Sequence, residues 1–214
     1  MNMIVVVQHH NAHEHAGLLN EMFRLRARVF HDRLGWDVQV VNGMERDRFD
    51  NETPVYIVYA DHYRRRVIGS LRLLPTTGPT LVADFFADTR PDPVELTSPA
   101  IWECTRFCLD EDYLGEGNRQ ELILASGVLL AALGEVALEA GIESIIGNFD
   151  AKMIRLYRRI GCEVEVLGST DRYGETVYLG SFPVSEPILH RIKARLRTKL
   201  LPLVEAREQR SLAA

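Results

Sequence analysis

The chain of 214 residues suits a single domain, 1–214, with residues 200–214 read as a frayed end. Hydrophobic residues make up 46% and charged residues 26%, enough for a sizeable core behind a polar surface. A net charge of −5 argues against broad nucleic-acid binding. Three cysteines (Cys104, Cys108 and Cys162) cannot all pair with one another and show no zinc spacing, so a reducing, cytoplasmic setting is expected. Met1 to Gln8 lacks the length and basic start of a signal peptide. No apolar run is expected to approach the length of a membrane span.

Met3 to Val7 predicts a first strand. His9, His10, His13 and His15 follow. No distant ligand set completes a metal site with them, so they read as a polar turn entering a helix. His15 to Leu34 has helical period, with Leu18, Met22, Leu25 and Val29 in one stripe. At 100° per residue Arg24 and Arg28 point away from that stripe, whereas Arg26 falls between Met22 and Phe30, inside the apolar arc. Arg26 should therefore need buried anionic partners, unless its stem snorkels to water. Gly35 ends the helix. Trp36 to Asn51 has little period and carries Glu45, Asp47 and Asp50. These form either an exposed acidic loop or the partners of Arg26, Arg72 and Arg106, each of which has an apolar setting.

Val55 to Ala60 and Val67 to Leu74 predict strands, joined by Asp61-His62-Tyr63-Arg64-Arg65. In the second, Ile68, Ser70, Arg72 and Leu74 are expected to share a face, and Gly69 to mark a bulge or a close backbone approach. Pro75 to Pro79 is a turn, and Asp88 to Pro99 a proline-rich loop. Ile101 to Leu109 is a β-branched and aromatic strand sequence that nevertheless carries Glu103 and Arg106. Side chains three apart on a regular strand point to opposite faces, so these two share a site only if a bulge intervenes. The plain alternative is a structural ion pair between them. Asp110 to Asn118 is polar, and Arg119 to Ala140 predicts an apolar helix stopped by Gly141. Ile142 to Ile146 predicts a strand. Asp150 caps a helix running to Ile160, which Gly161 ends. Glu163 to Leu167 and Thr176 to Phe182 predict a hairpin, and a last helix begins near Ser185.

Four patterns coincide: Arg26-x3-Phe30-x5-Trp36, Glu45-x-Asp47-x-Phe49-Asp50, Gly69-Ser70-Leu71-Arg72-Leu73-Leu74-Pro75-Thr76-Thr77, and Trp102-Glu103-x2-Arg106-Phe107. Together they resemble the N-acyl-homoserine lactone synthases, the autoinducer synthases of bacterial quorum sensing. The resemblance implies an α/β three-layer sandwich like the GNAT acyltransferases: a mixed twisted sheet with a splayed central strand pair, flanked by helices. It implies an acyltransferase that joins S-adenosylmethionine to a chain delivered by acyl carrier protein. The amine is acylated, and the methionine carboxylate then displaces methylthioadenosine to close the lactone. S-adenosylmethionine is a substrate, so no cofactor and no metal are expected. The expected partners are S-adenosylmethionine and acyl carrier protein, with no nucleic acid and no membrane span.

The resemblance makes Glu103 the general base, acting through a water. Backbone N–H groups near the strand bulge would hold the oxyanion. Phe30 and Trp36 offer aromatic surface to adenine or the sulfonium. Arg26, Asp47, Asp50, Arg72 and Arg106 would form one ion network, with one arginine taking the substrate carboxylate. Leu122, Leu129, Ile142, Ile146 and Gly147 are expected to line the acyl pocket. Family members favouring 3-oxo chains resemble one another in carrying Thr or Ser at the position of Gly147, which is followed by Asn148; the plain alternative is that Gly147 simply allows close packing. Lys152, Arg155 and Arg159, three and four residues apart on one helix, are expected to dock the acidic carrier protein, unless they are simply a solvated face.

Two rivals remain at this point. One is an acetyl-CoA-dependent GNAT N-acetyltransferase. Its phosphate loop reads Gln/Arg-x-x-Gly-x-Gly/Ala, whereas Asp112-Tyr113-Leu114-Gly115-Glu116-Gly117 here places acids that would repel a pyrophosphate. The other is an inactive module that binds S-adenosylmethionine or carrier protein.

Overall fold

Seven strands form one sheet in the computed structural model, which describes residues 2–197 apart from 62, 64, 65, 91–95 and 116. Chain order gives β1 (Asn2–Val7), α1 (Ala16–Arg26), a small hairpin of β2 (Val40–Val41) and β3 (Met44–Glu45), β4 (Val55–Asp61) and β5 (Arg66–Pro75). There follow α2 (Leu81–Asp84), β6 (Ile101–Leu109), α3 (Glu111–Leu114), α4 (Arg119–Glu139), β7 (Ser144–Asp150), α5 (Ala151–Ile160), β8 (Glu165–Thr170) and β9 (Val177–Pro183). A last helix, α6, spans residues 186–197. The sheet order is β1-β4-β5-β6-β7-β9-β8, antiparallel except for β6 and β7. The fold is the expected mixed α/β sandwich.

Successive residues of β4 feed two cores, as strand alternation requires. Tyr56 and Val58 pack with Met22, Phe23, Leu25 and Phe30 on one face. Ile57 packs with Ala125, Leu129, Ala132 and Ala137 of α4 on the other. Beyond α4, Ala131 meets Ile160, Leu189 and Ile192.

β6 and β7 pair over only three positions: Ile101 with Ser144, Trp102 with Ile145 and Glu103 with Ile146. Past Glu103, β6 keeps only β5 and β7 keeps only β9, so the sheet splays open at its centre. A bulge sits beside the opening. Ser70 faces Cys108 and Arg72 faces Thr105, which leaves one residue too many on β6. The extra length is absorbed at Arg106, whose φ of +53° is uncommon for a residue with a side chain.

Several boundaries differ from the sequence reading. The first helix is 3₁₀ over His9–His15, α over Ala16–Arg26 and π over Ala27–Arg33. β7 begins at Ser144 rather than Ile142 and runs on to Asp150. Ile68 does not share a face with Ser70 and Arg72. A second bulge, between Tyr59 and Ala60, puts Ile68 on the α4 side, while Ser70 meets Cys108. Gly69 lies at that bulge, where a Cβ would fall 2.4 Å from Leu109 and 2.9 Å from the Cys108 carbonyl. At 21 residues, α4 is long and apolar enough to cross a membrane, contrary to expectation. Its length serves the core instead, through Ala125, Leu129 and Ala132. His62, Arg64, Arg65, part of the proline-rich loop, Glu116 and the expected frayed end lie outside the described residues.

Candidate active site

Glu103 is 1% exposed and does not pair with Arg106. Its carboxylate accepts the backbone N–H groups of Leu81 at 2.8 Å and Val82 at 2.7 Å, at the start of α2. Thr80 caps that turn by accepting the N–H of Ala83. The ion-pair alternative for Glu103 and Arg106 is therefore set aside. Alternation along β6 keeps Thr105 on the face of Glu103, and the bulge brings Arg106 to that face as well, toward Glu45 and Phe30. Burial pushes the Glu103 carboxyl up to about 7, although the two N–H groups and Arg72 pull it down.

Beside it lies a balanced network of three guanidiniums and three carboxylates. Arg26 donates to Glu45 at 2.5 Å and to both oxygens of Asp50 at 2.8 and 3.0 Å. Arg72 forks onto Asp47 at 2.5 and 2.9 Å, and reaches Asp50 at 2.8 Å and Thr105 at 2.9 Å. Arg106 closes the circuit on Glu45 at 3.1 Å and Asp47 at 2.9 Å. Tyr56 donates to Asp50 at 2.7 Å. Burial alone would raise the Asp50 carboxyl, but the hydrogen bond and charge of Arg26 and the charge of Arg72 hold it well below its usual range. Burial would lower Arg26, yet Asp50 and Glu45 hold it well above its ordinary value. Arg26 is thus a paired core group and does not snorkel.

A cavity of about 1510 Å³ opens beside this network. Phe30 and Trp36 line it, stacked with ring centres 5.0 Å apart, and the Arg106 guanidinium lies 5.4 Å from the Phe30 ring. Trp36 is 49% exposed, an open aromatic face at the rim. Of the three network arginines only Arg106 borders the cavity. The cavity touches Glu103 and Thr105 on one side of β6, and Cys104 and Phe107 on the other, so it passes through the splayed gap.

Leu122 and Gly147 border the far part of the cavity, with Ser126, Leu130 and Leu133. Leu129 and Ile142 do not: both are sealed in the core between α4 and the sheet. Ile146 is turned to the α2 side, against Val82 and Leu179, and Ile145 borders the cavity instead. Lys152, Arg155 and Arg159 are exposed at the cavity rim. His9 to His15 form a 3₁₀ helix with no buried residue, and no group of three possible metal ligands exists among the described residues. Burial pushes the Cys104 and Cys162 thiols up to about 12, so they stay protonated and poorly nucleophilic.

The sequence offers Glu45 among the partners of the arginines, but does not single out Thr105, Thr80 or Asn148. Thr80 before Leu81-Val82 is a helix-start signal that a closer reading could have used.

The autoinducer synthase family matches residues 9–192. An acyl-homoserine-lactone synthase from Rhizobium etli is 40% identical over 178 residues, covering 83% of this chain and 82% of that one. The AHL synthase LasI has a similar structure, with TM-score 0.74, 26% identity and coverage of 86% and 91%. So has BjaI, a CoA-dependent acyl-homoserine lactone synthase solved with SAM and isopentyl-CoA, at TM-score 0.79, 25% identity and coverage of 92% and 90%. A Lactobacillus plantarum structure named as an N-acetyltransferase shares the fold alone, at TM-score 0.53, 20% identity and coverage of 85% and 99%. The match along most of the sequence, the splayed sheet and the buried glutamate at its opening agree: this chain belongs to the autoinducer synthase family, the acyl-homoserine-lactone synthases.

Proposed function

We propose that the chain acylates the amine of S-adenosylmethionine with a chain brought by acyl carrier protein, then closes the lactone with loss of methylthioadenosine. The observation that carries this reading is Glu103, a buried carboxyl with a near-neutral pKa at the mouth of a gap through the sheet. An ammonium has no lone pair with which to attack a thioester. Glu103, through one water, takes its proton. The freed nitrogen attacks the acyl carbon; as the tetrahedral intermediate collapses the C–S bond breaks, and the nitrogen's second proton leaves with the sulfur as thiol. Arg106 and Phe107 have no register partner on β5, so their N–H groups suit the oxyanion. Arg106 is 10% exposed and takes the substrate carboxylate, while Arg26 and Arg72 brace it from within. Phe30 and Trp36 receive the adenine or the sulfonium. The carboxylate then attacks the carbon bound to sulfur, and methylthioadenosine departs. S-adenosylmethionine enters as a substrate, and no cofactor takes part. The three free cysteines suit a reducing, cytoplasmic setting.

A CoA thioester is the second reading, favoured by the likeness to BjaI. Against it, Asp112 lies exposed just before Gly115, where a pyrophosphate would meet like charge. Mass spectrometry of products from S-adenosylmethionine with acyl carrier protein or acyl-CoA separates the readings. Lactone plus methylthioadenosine from the carrier-protein arm supports the proposal. Lactone from acyl-CoA alone replaces the donor, and an acetylated amine without lactone overturns the reaction.

Docking follows from charge. The exposed Lys152, Arg155 and Arg159 present a basic face beside the cavity to an acidic carrier. Reversing Lys152 and Arg155 to Glu is expected to raise the KM for acyl carrier protein, with an effect that weakens as salt rises. An unchanged KM at low salt removes this face from the account.

The acyl pocket gives a further expectation. Gly147 offers no hydroxyl, and a Cβ there would lie 2.9 Å from the Cys104 carbonyl, so packing holds the position to glycine. A 3-oxo group would lose water without gaining that partner, at a cost on the order of 1–3 kcal/mol. Competing 3-oxo and unsubstituted chains in one assay should show no 3-oxo preference, and a clear preference for it would sink this reading of the pocket.

A further inference from the structure

We propose that Asn148 selects the acyl chain: its side-chain carbonyl accepts a hydrogen bond from a hydroxyl on the third acyl carbon, so 3-hydroxyacyl donors are preferred over 3-oxo and unsubstituted ones. The inference rests on the acyl-transfer reading above.

The side chain's orientation is determined by its neighbours. Nδ2 lies 3.4 Å from the Tyr178 carbonyl, which can only accept, and 3.1 Å from Thr89 Oγ1. Thr89 already donates its proton to the Phe86 carbonyl at 2.6 Å, so it too accepts from Asn148. The amide nitrogen is thereby used on both sides, and Oδ1 points elsewhere. Oδ1 is buried and has no hydrogen-bond partner among the described residues. Buried polar atoms nearly always have a partner, and an orphan at a functional cavity calls for one from outside. Asn148 borders the cavity.

Its place on β7 identifies the partner. Ile146 pairs with Glu103 and packs against Val82, whose N–H holds the Glu103 carboxylate. Asn148 is two residues further on the same face, about 7 Å along the strand. An acyl carbon set for attack at the level of Glu103, with its chain entering the gap beside Gly147, carries its third carbon toward Asn148. A hydroxyl there donates to Oδ1. A keto oxygen can only accept and would face Oδ1 lone pair to lone pair. An unsubstituted chain leaves the orphan unfilled. The amide N–H of a pantetheine arm is also a donor, but it is common to every chain and cannot discriminate among them.

The test is calorimetric binding of unreactive pantetheine thioethers bearing 3-hydroxyacyl, 3-oxoacyl and plain acyl chains, to the parent and to Asn148→Leu. The parent should bind the 3-hydroxy compound about tenfold more tightly than the other two, and Asn148→Leu should abolish that ranking. A parent that ranks the three equally, or favours 3-oxo, overturns the proposal. So does a leucine variant that weakens all three alike, the pattern of a pantetheine contact, or that keeps the parent's ranking. Should Asn148→Leu fail to fold, the parent's ranking decides. Binding is read without turnover, so a failure of the lactone-forming reaction leaves this result interpretable.

Discussion

Glu103→Gln is expected to lower turnover about 10²–10⁴-fold while S-adenosylmethionine binding stays near normal. Glutamine keeps the size of the side chain but cannot accept the ammonium proton. The substitution also touches the fold, through α2 rather than Arg106. The carboxylate accepts two N–H groups, from Leu81 and Val82, and a glutamine can accept at one oxygen while its NH₂ faces the other donor. Leaving one N–H without a partner costs roughly 1–3 kcal/mol. A second effect opposes this. The native carboxyl holds its proton up to about pH 7, so between its ordinary value of 4.5 and about 7 the folded state binds more protons than the unfolded one. Parent stability therefore falls as pH rises through that window, and glutamine removes the fall. Above pH 7 we expect the melting temperature to move by only a few degrees. Melting and turnover measured on one preparation check this. A variant that melts far earlier yet turns over normally when cold would make Glu103 a structural residue.

Arg26→Met should cost about 3–5 kcal/mol of stability, because it strips a partner from Glu45 and Asp50, both fully buried. A methionine of similar length fills the space, so the loss is one of charge rather than volume. Thermal melting should fall by on the order of 10 °C. The network's pH dependence has the opposite sign to that of Glu103. The Asp50 carboxyl is held below its ordinary 3.8 by Arg26 and Arg72, against burial. Its contribution is complete above that value and lost as pH falls below it. The parent should therefore lose stability in acid more steeply than Arg26→Met. Equal melting of the two proteins at neutral pH would contradict a stabilising network.

Local pattern revealed much of this. The 3.6-residue period placed Arg26 inside the apolar arc, and the acids of the following loop are indeed its partners. The spacing of Glu103 and Arg106 required a bulge for a shared site, and the bulge is present. Asp150 and Gly161 bound α5 as their chemistry dictates. What escaped the sequence depends on tertiary placement. The donors to Glu103 are backbone groups more than twenty residues away, and a local helix-start signal at Thr80 cannot say which carboxylate it will meet. Apolar residues surround α4 on nearly every side, so its period could not decide whether Leu122 or Leu129 faces the cavity. On β7, ending the strand at Ile146 rather than Asp150 left Asn148 outside it, and so hid that residue.

The pH–rate profile of acyl transfer, compared between the parent and Glu103→Gln, tests the role of Glu103 most directly. With Glu103 as base, parent turnover should rise as the carboxyl ionises, reach half its limit near pH 7 and then flatten. Without the base, the variant's much lower rate should keep rising with pH, as free amine replaces ammonium. A variant profile with the same shape as the parent's would contradict the assignment of Glu103 as the base.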